Sequence, residues 1–183
     1  KESSCENTVN SVQRLFYNIP INTYFSLDLD GISALNDSVG GVDVVSPETI
    51  GEFVEGESYH LVGQQAESFV RTRDTSKTDS NNMRMQRQKV YIQSFMNTVL
   101  QQTKKDLTTP IDLFNASAPY SCTNLNPSKV SYLAQQAVLG GMNGIDVVSV
   151  PGQVTMGSKY AEFNVSEAEF YQLFLSIYYT KIE

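Results

Sequence analysis

The order of apolar and polar residues between positions 21 and 45 constrains the fold more than any other feature. Residues 21–29 alternate apolar and polar side chains, which is typical of a β-strand. Residues 30–39 place Ile32, Leu35 and Val39 on one helical face, and Gly40-Gly41 ends that helix. Residues 42–45 form a second strand pattern. Helices that alternate with strands along the chain predict an α/β fold.

The rest of the chain continues with helical patterns and one further strand pattern. We expect a short helix over 63–70, a polar loop over 72–82, and a long helix over 82–103. The buried stripe predicted for the long helix is Ile92, Phe95, Met96, Val99 and Leu100. Asn126-Pro127 is typical of a capped helix start, residues 144–150 resemble a strand, and Ser166 with Glu169 forms a predicted capping box, as Ser3 does with Glu6. No linker interrupts these patterns, which predicts a single domain over residues 1–183.

Composition excludes several classes of protein. The chain has 183 residues with a net charge of −7, which argues against a protein that mainly neutralises nucleic-acid phosphates or anionic membranes. Charged residues make up 18%, against about 25% in typical domains. Ser, Thr, Asn and Gln supply the polar surface instead, which favours an extracytoplasmic location. One His and two Cys exclude a Cys/His zinc cluster within this chain.

Two cysteines, Cys5 and Cys122, lie far apart in sequence. They are either two small buried apolar residues or one disulfide. The low charge and extracytoplasmic character favour the disulfide.

Basic residues concentrate between positions 69 and 91, which hold six of the 13 Lys and Arg in the chain. Arg71 and Arg73 are two residues apart, so in extended backbone their guanidinium groups would point to the same side and clamp a phosphate. Arg84, Arg87 and Gln88 share one face near a helix N-terminus, which also favours an anion. The alternative is that this charged run is an ordinary solvated surface.

Several blocks in this region resemble the LytR–CpsA–Psr family of extracytoplasmic proteins of Gram-positive bacteria. The blocks are LNDSVGGVDV (35–44), LVGQQA (61–66), FVRTRD (69–74) and RMQRQ (84–88). The resemblance extends from about Cys5 to Tyr179. It implies a three-layer α/β/α sandwich with a mixed central sheet, in which an apolar tunnel between sheet and helices holds a lipid tail.

The resemblance also implies a phosphotransferase. Family members take a glycopolymer, teichoic-acid-like or capsular, from an undecaprenyl-pyrophosphate carrier and join it to peptidoglycan. Arg71 and Arg73 match the family's catalytic pyrophosphate clamp, and Arg84 and Gln88, with Arg87 beside them, match its helix motif. Mg²⁺ normally assists by bridging the pyrophosphate. We expect these side chains to converge on one cleft.

The sequence also departs from the family pattern. The family usually has an Asp three residues before the helix Arg, whereas this chain has Asn81, and the nearest acid is Asp79, a weak metal candidate. The family's earlier segment, with its metal-binding Asp, is absent. We therefore expect a C-terminal portion of the domain that is inactive alone, in a full-length protein anchored to the outer face of the membrane by a preceding segment.

Two other function classes are also consistent with the sequence. One is a non-catalytic module that binds a polyprenyl phosphate or wall polymer through the same arginines. The other is the transcriptional attenuator suggested by the old family name, which the net charge and the absence of a basic recognition helix disfavour. His60 has no triad partners in the sequence and is interpreted as a surface residue, and Asp37 is interpreted as structural.

Overall fold

The computed structural model describes residues 2–76 and 80–180 and consists of helices joined by short strands. Its helices are α1 (Glu2–Leu15), α2 (Asp30–Ser38), α3 (Gln64–Arg71), α4 (Ser80–Lys105), α5 (Thr109–Ser117), α6 (Pro127–Leu139) and α7 (Glu167–Tyr178). Its strands are β1 (Phe25–Leu27), β2 (Val42–Val45), β3 (Ser58–Leu61), β4 (Ser121–Thr123), β5 (Gly152–Met156) and β6 (Ala161–Val165). The predicted α/β class is confirmed.

All strand pairs in the described residues are antiparallel. They form three two-stranded sheets, which pair β1 with β4, β2 with β3, and β5 with β6. The expectation of a single mixed central sheet is not met by these strands. In the β2–β3 pair, Val42 lies opposite Leu61 and Val44 opposite Tyr59, which places one apolar face of the pair against the helices.

The main core lies where the β2–β3 sheet meets α3 and α4. Val42 and Val44 of β2 are buried, whereas Asp43 and Val45 between them are exposed, as the two-residue repeat of a strand requires. Phe69 and Ala66 of α3 are completely buried against this sheet, and Phe53 packs edge-on against Phe69 at 5.1 Å between ring centroids. This core fixes α3 relative to the sheet. The substitution Phe69→Ala should lower the free energy of unfolding by about 3–5 kcal/mol.

Polar contacts between Asn36, Asp37 and three neighbouring segments support the core. Asn36 is completely buried, donates from Nδ2 to the Leu61 carbonyl at 2.8 Å, and accepts at Oδ1 from the Tyr91 hydroxyl at 3.2 Å. Asp37 Oδ1 accepts from the Gly63 backbone N–H at 2.7 Å, immediately before α3. These contacts confirm the structural interpretation of Asp37. Burial, with a smaller contribution from the Asp37 carboxylate, raises the pKa of Tyr91, so its hydroxyl stays a donor.

Local signals predicted some helix ends and missed others. Asn126 caps α6, because its Oδ1 accepts from the Lys129 N–H at 2.9 Å. The predicted Ser166 capping box is wrong, since the Ser166 side chain makes no capping hydrogen bond. The Ser3 capping box is also wrong, because α1 already begins at Glu2.

The predicted strand over residues 144–150 is also wrong. These residues have no regular secondary structure, and the Ile145 N–H donates to the Asn97 side chain at 3.1 Å instead of to a neighbouring strand. The strands of this region are β5 and β6, which pair with Gly152 opposite Val165 and turn where the Gly157 N–H donates to the Tyr160 carbonyl. Apolar β-branched residues favour a strand, but a strand forms only where a partner strand is available.

Within residues 2–76 and 80–180, no helix has both the length and the apolar surface needed to cross a membrane.

Candidate anion site beside an apolar cavity

The junction between α3 and α4 carries the arginines that the sequence singled out. α3 ends at Arg71, and the backbone becomes extended at Thr72, with φ −55° and ψ 137°. Arg71 therefore lies in a helix, not in the extended backbone expected from its spacing with Arg73. The Arg73 Nε atom donates to Ser80 Oγ at 3.0 Å, and Ser80 is the first residue of α4. The guanidinium of Arg73 is thus held at the N-terminus of α4.

Arg71 is tethered by one nitrogen and otherwise exposed. Its Nη1 atom donates to Glu67 Oε1 at 2.7 Å, and 62% of its side chain is accessible to solvent. The Glu67 side chain is only 11% accessible, so the pair is half-buried and not a fully exposed one, for which about 0.3–0.5 kcal/mol is typical. Its main effect here is to orient Arg71, which leaves the remaining guanidinium donors available to a ligand.

Arg84 combines a neutral partner with an unused donor. Its Nη2 atom donates to Asn81 Oδ1 at 2.8 Å, so the residue that replaces the family's Asp still contacts this arginine. Its Nε atom is buried and has no hydrogen-bond partner among the residues that the structure describes. A buried donor without a partner is unfavourable, and an anion bound here would supply an acceptor. We call Arg71, Arg73 and Arg84 the arginine cluster.

The N-terminus of α4 adds to the positive potential of the arginine cluster. α4 has 26 residues and no acidic residue in its first turn. The first four N–H groups of a helix lack partners within the helix and carry partial positive charge. Together with Arg73 at Ser80 and Arg84 one turn later, this helix end favours a phosphate.

Arg87 is not part of the ligand-binding surface, which corrects the expectation from its sequence position. It is completely buried. Its Nε atom donates to Glu48 Oε1 at 2.7 Å, and its two terminal nitrogens donate to the carbonyls of Phe69 and Thr72. With no exposed surface and every guanidinium nitrogen engaged, Arg87 has no group left to contact a pyrophosphate.

Gln88 lies between the arginine cluster and an apolar cavity that is bounded by β1, α2, α3 and α4. Its Nε2 atom donates to the Val70 carbonyl at 3.1 Å, which uses one of the two N–H donors of the amide. Its side chain also lines the cavity beside Val70, the residue before Arg71. Gln88 is therefore positioned at the boundary between charged and apolar surface.

An apolar cavity of about 420 Å³ lies between β1, α2, α3 and α4. Among the described residues that line it, Gln88 is the one amide side chain, and the others are aromatic, aliphatic or, for Met96, a thioether. The lining residues are Phe25, Leu27, Leu29, Ile32, Leu35, Val70, Gln88, Tyr91, Ile92, Phe95 and Met96. Ile92 and Met96, which the helical periodicity assigned to the core, are partly exposed because they face this cavity.

The described residues do not supply an evident Mg²⁺ site. In residues 2–76 and 80–180, no group of three or more His, Cys, Asp or Glu side chains is arranged to hold a metal ion. The carboxylates of Glu48 and Glu67 are paired with Arg87 and Arg71. Asp79, the weak metal candidate, lies outside the described residues. These side chains therefore do not fit the expected cofactor.

The disulfide between Cys5 and Cys122 stays a prediction. Cys5 and Cys122 are free thiols, although they lie close enough for their side chains to form a hydrogen bond. Desolvation and the neighbouring Cys122 thiol raise the pKa of Cys5, while Ser26 opposes this effect. The raised pKa favours the protonated thiol, which is the less reactive form.

Sequence reasoning missed two residues that organise the site. Glu48 is 39 positions from its partner Arg87, and no local pattern relates them. Ser80 precedes the predicted start of the long helix, yet it is buried, begins α4 and binds Arg73. Its place before a helical run was the one available signal, because Ser is common at helix starts.

Comparison with solved structures shows the fold. Bacillus subtilis TagV has a TM-score of 0.70 and 22% sequence identity, with 96% of this chain and 71% of that chain covered. A structure described as TagT bound to LI-WTA has a TM-score of 0.66 and 16% identity, covering 93% of this chain and 64% of that one.

Comparison with curated sequences gives a shorter match. A Bacillus cereus protein named polyisoprenyl-teichoic acid–peptidoglycan teichoic acid transferase TagU is 39% identical over 62 residues, and Bacillus anthracis proteins of the same name match equally. This alignment covers 32% of this chain and 20% of the relative. The family model described as the LytR_cpsA_psr family matches residues 4–175. The chain belongs to the LytR–CpsA–Psr family.

Proposed function

We propose that this chain forms part of a phosphotransferase that moves a cell-wall glycopolymer from a polyprenyl-pyrophosphate carrier to peptidoglycan. The observation that carries the proposal is the contact between charged and apolar surface at Gln88 and Val70. Both residues line the apolar cavity, and Val70 directly precedes Arg71. A ligand with an apolar tail and an anionic head matches this combination.

The chemistry of a polyprenyl pyrophosphate suits both halves of the site. Its hydrocarbon tail would be removed from water by Phe25, Leu35 and Phe95 in the cavity, at about 0.8 kcal/mol per buried CH₂. Its pyrophosphate would lie at the arginine cluster. Relatives named as polyisoprenyl-teichoic acid transferases, and a related structure described as bound to LI-WTA, support this substrate class.

In the proposed reaction the arginine cluster stabilises charge. Phosphoryl transfer depends mainly on positioning the reactants and on neutralising negative charge. This charge develops on the leaving phosphate as its bond to the transferred phosphate breaks. Arg71 and Arg73 would bind that leaving phosphate more strongly in the transition state than in the ground state. Arg84, one turn into α4, would add its positive charge beside the same anion.

Mg²⁺ remains part of the proposal on the grounds of family resemblance. When bound it would neutralise charge on the pyrophosphate. The described residues hold no group of three or more His, Cys, Asp or Glu side chains that could bind it.

The proposed setting is the outer face of the cell envelope, with a membrane anchor in the full-length protein. The proposed partners are the lipid-linked glycopolymer and peptidoglycan, with no nucleic acid. The low charged fraction, 18%, supports an extracytoplasmic setting, and the net charge of −7 disfavours nucleic acid. We also expect no turnover by residues 1–183 alone.

The test is polymer transfer from the lipid carrier to peptidoglycan by the full-length protein. Arg71→Ala and Arg73→Ala should each lower the rate roughly a hundredfold, which corresponds to about 3 kcal/mol of transition-state stabilisation. Lys105→Ala, at the exposed far end of α4, is the matched loss of charge and should leave the rate unchanged. Wild-type rates in both arginine variants would contradict the proposal.

The same assay separates the enzyme from a non-catalytic binding module. A module would bind the lipid carrier in an Arg71-dependent manner but would transfer no polymer. Transfer that depends on Arg71 and Arg73 supports the enzyme.

A further inference from the structure

Arg87 connects three segments of the chain from a position that no solvent reaches. Its Nε atom donates to the Glu48 carboxylate, which follows β2. Its terminal nitrogens donate to the Phe69 and Thr72 carbonyls at the end of α3. One α4 side chain thereby fixes the end of α3 relative to the segment after β2.

These contacts lie on the backbone that carries the ligand-facing arginines. The last carbonyls of a helix have no partner within the helix. Here the Phe69 and Thr72 carbonyls accept from Arg87, and the Val70 carbonyl accepts from Gln88 at 3.1 Å. Arg71 lies between these held carbonyls, and Arg73 directly follows the last of them. The direction in which both arginines leave the backbone thus depends on Arg87.

Glu48 is itself held in place. Ser46 Oγ donates to the Glu48 carbonyl at 2.6 Å, and Ser46 is nearly fully buried. Ser46 also exchanges backbone hydrogen bonds with the segment before β3, since its N–H donates to the Glu57 carbonyl and its carbonyl accepts from Gly56. The carboxylate therefore meets Arg87 from a fixed turn.

Stability is a poor explanation for this arrangement. Desolvating two charges offsets most of their attraction, so a buried ion pair is weak evidence of a stabilising role. A guanidinium, in contrast, provides rigid donors in several directions at once, which an apolar side chain cannot do. The distinctive effect of the Glu48–Arg87 pair is geometric.

We propose that Glu48 and Arg87 are positioning residues that hold Arg71 and Arg73 in the orientation that binds the pyrophosphate. This inference rests on the proposed function of the arginine cluster. Arg87 acts through the α3 backbone and does not contact the ligand. Lys at this position keeps the charge but cannot donate to Glu48, Phe69 and Thr72 from one planar group.

The experiment measures the affinity of the full-length protein for geranylgeranyl pyrophosphate, expressed per folded molecule, well below the unfolding temperature. Arg87→Lys should weaken binding roughly tenfold, whereas Lys89→Met, which removes an exposed charge from the same helix, should not. Glu48→Gln keeps an acceptor for Nε and should have a smaller effect, and it carries the test if Arg87→Lys does not fold.

A double-mutant cycle distinguishes positioning from a general structural role. In an Arg71→Ala, Arg73→Ala background, Arg87→Lys should cause no further loss of affinity. Additive losses, or wild-type affinity in folded Arg87→Lys or Glu48→Gln protein, would overturn the positioning role alone. Wild-type affinity in the Arg71→Ala, Arg73→Ala protein would overturn the proposed function and the positioning role with it.

Discussion

The Nε atom of Arg73 donates a hydrogen bond to Ser80 Oγ at 3.0 Å and so joins the segment after α3 to the first residue of α4. Ser80 is buried, whereas Arg73 is exposed, so a hydroxyl that is fixed by burial orients a side chain that faces solvent. This contact places the Arg73 guanidinium at the N-terminus of α4. The charge of the guanidinium and the free N–H groups of the helix end both favour an anion. The anion site therefore depends on the hydrogen bond between Arg73 and Ser80 as well as on the arginine itself.

Replacing Ser80 by Ala should weaken pyrophosphate binding, because Arg73 loses the acceptor that orients it. We expect affinity to fall about threefold to tenfold and stability to fall by about 0.5–1.5 kcal/mol. Isothermal titration with geranylgeranyl pyrophosphate measures the first and urea unfolding the second. Ser176→Ala removes an exposed α7 hydroxyl that donates to the Leu173 carbonyl and should leave affinity unchanged. Unchanged affinity in Ser80→Ala would show that this contact does not orient the ligand-binding group.

Filling the apolar cavity should affect only ligands that have a lipid tail. Met96 lines the cavity and is partly exposed, so Met96→Trp would occupy tail space without a large change to the core. Excluding a few CH₂ groups at about 0.8 kcal/mol each should weaken geranylgeranyl pyrophosphate binding roughly tenfold or more. Binding of inorganic pyrophosphate should not change.

The control for the cavity variant is Leu139→Trp, which adds the same ring at an exposed position at the end of α6. It should not alter the affinity for either ligand. Equal losses for inorganic pyrophosphate and the lipid in Met96→Trp would contradict a tail-binding role for the cavity.

Local patterns predicted the elements but not the contacts between them. The short strand pattern at residues 42–45 predicted β2, and the apolar stripe that begins at Ile92 predicted α4, because both signals are local in sequence. The same periodicity treated Ile92 and Met96 as core, since it cannot distinguish a packed face from a cavity wall. The basic run was identified, but only three-dimensional packing separates buried Arg87 from exposed Arg71.

The exposed His60 should make stability depend on pH. Its Nδ1 atom lies 2.7 Å from Asp43 Oδ1 and its Nε2 atom 3.0 Å from the Gly40 carbonyl, so both nitrogens of the protonated ring can donate. The hydrogen bond to Asp43, opposed in part by desolvation, raises the pKa of His60 above 6.5. A raised folded-state pKa means that the stabilisation is complete below about pH 6.5 and is lost as pH rises through the folded value.

Asp43→Asn should therefore reduce the fall in urea midpoint between pH 6 and pH 8. Glu55→Gln, an exposed carboxyl change in the neighbouring loop, should retain the wild-type dependence. A pH profile in Asp43→Asn that matches the wild type would show that the His60–Asp43 contact does not contribute.

Gly40 and Gly41 should differ in their tolerance of a side chain. Both have positive φ, +80° and +95°, which costs an Ala about 1–2 kcal/mol. A Cβ on Gly41 would also clash with His60 Nε2 and lie 2.9 Å from the Leu61 carbonyl oxygen, whereas one on Gly40 would have no neighbour within 4 Å. Gly41→Ala should thus destabilise the protein more than Gly40→Ala in urea unfolding. Equal losses would contradict the close approach of His60 and Leu61 to Gly41.

Binding of one ligand across both surfaces is tested by comparing three ligands on the full-length protein: geranylgeranyl pyrophosphate, geranylgeraniol and inorganic pyrophosphate. If one ligand occupies both the apolar cavity and the arginine cluster, the lipid pyrophosphate should bind at least about a hundredfold more tightly than either of the other two. Arg71→Ala with Arg73→Ala should reduce its affinity most of the way to that of geranylgeraniol, since only Arg84 and the α4 N-terminus remain to bind the pyrophosphate. Equal affinity of the wild-type protein for geranylgeraniol and geranylgeranyl pyrophosphate would show that the arginine cluster does not bind the pyrophosphate of a lipid held in the cavity.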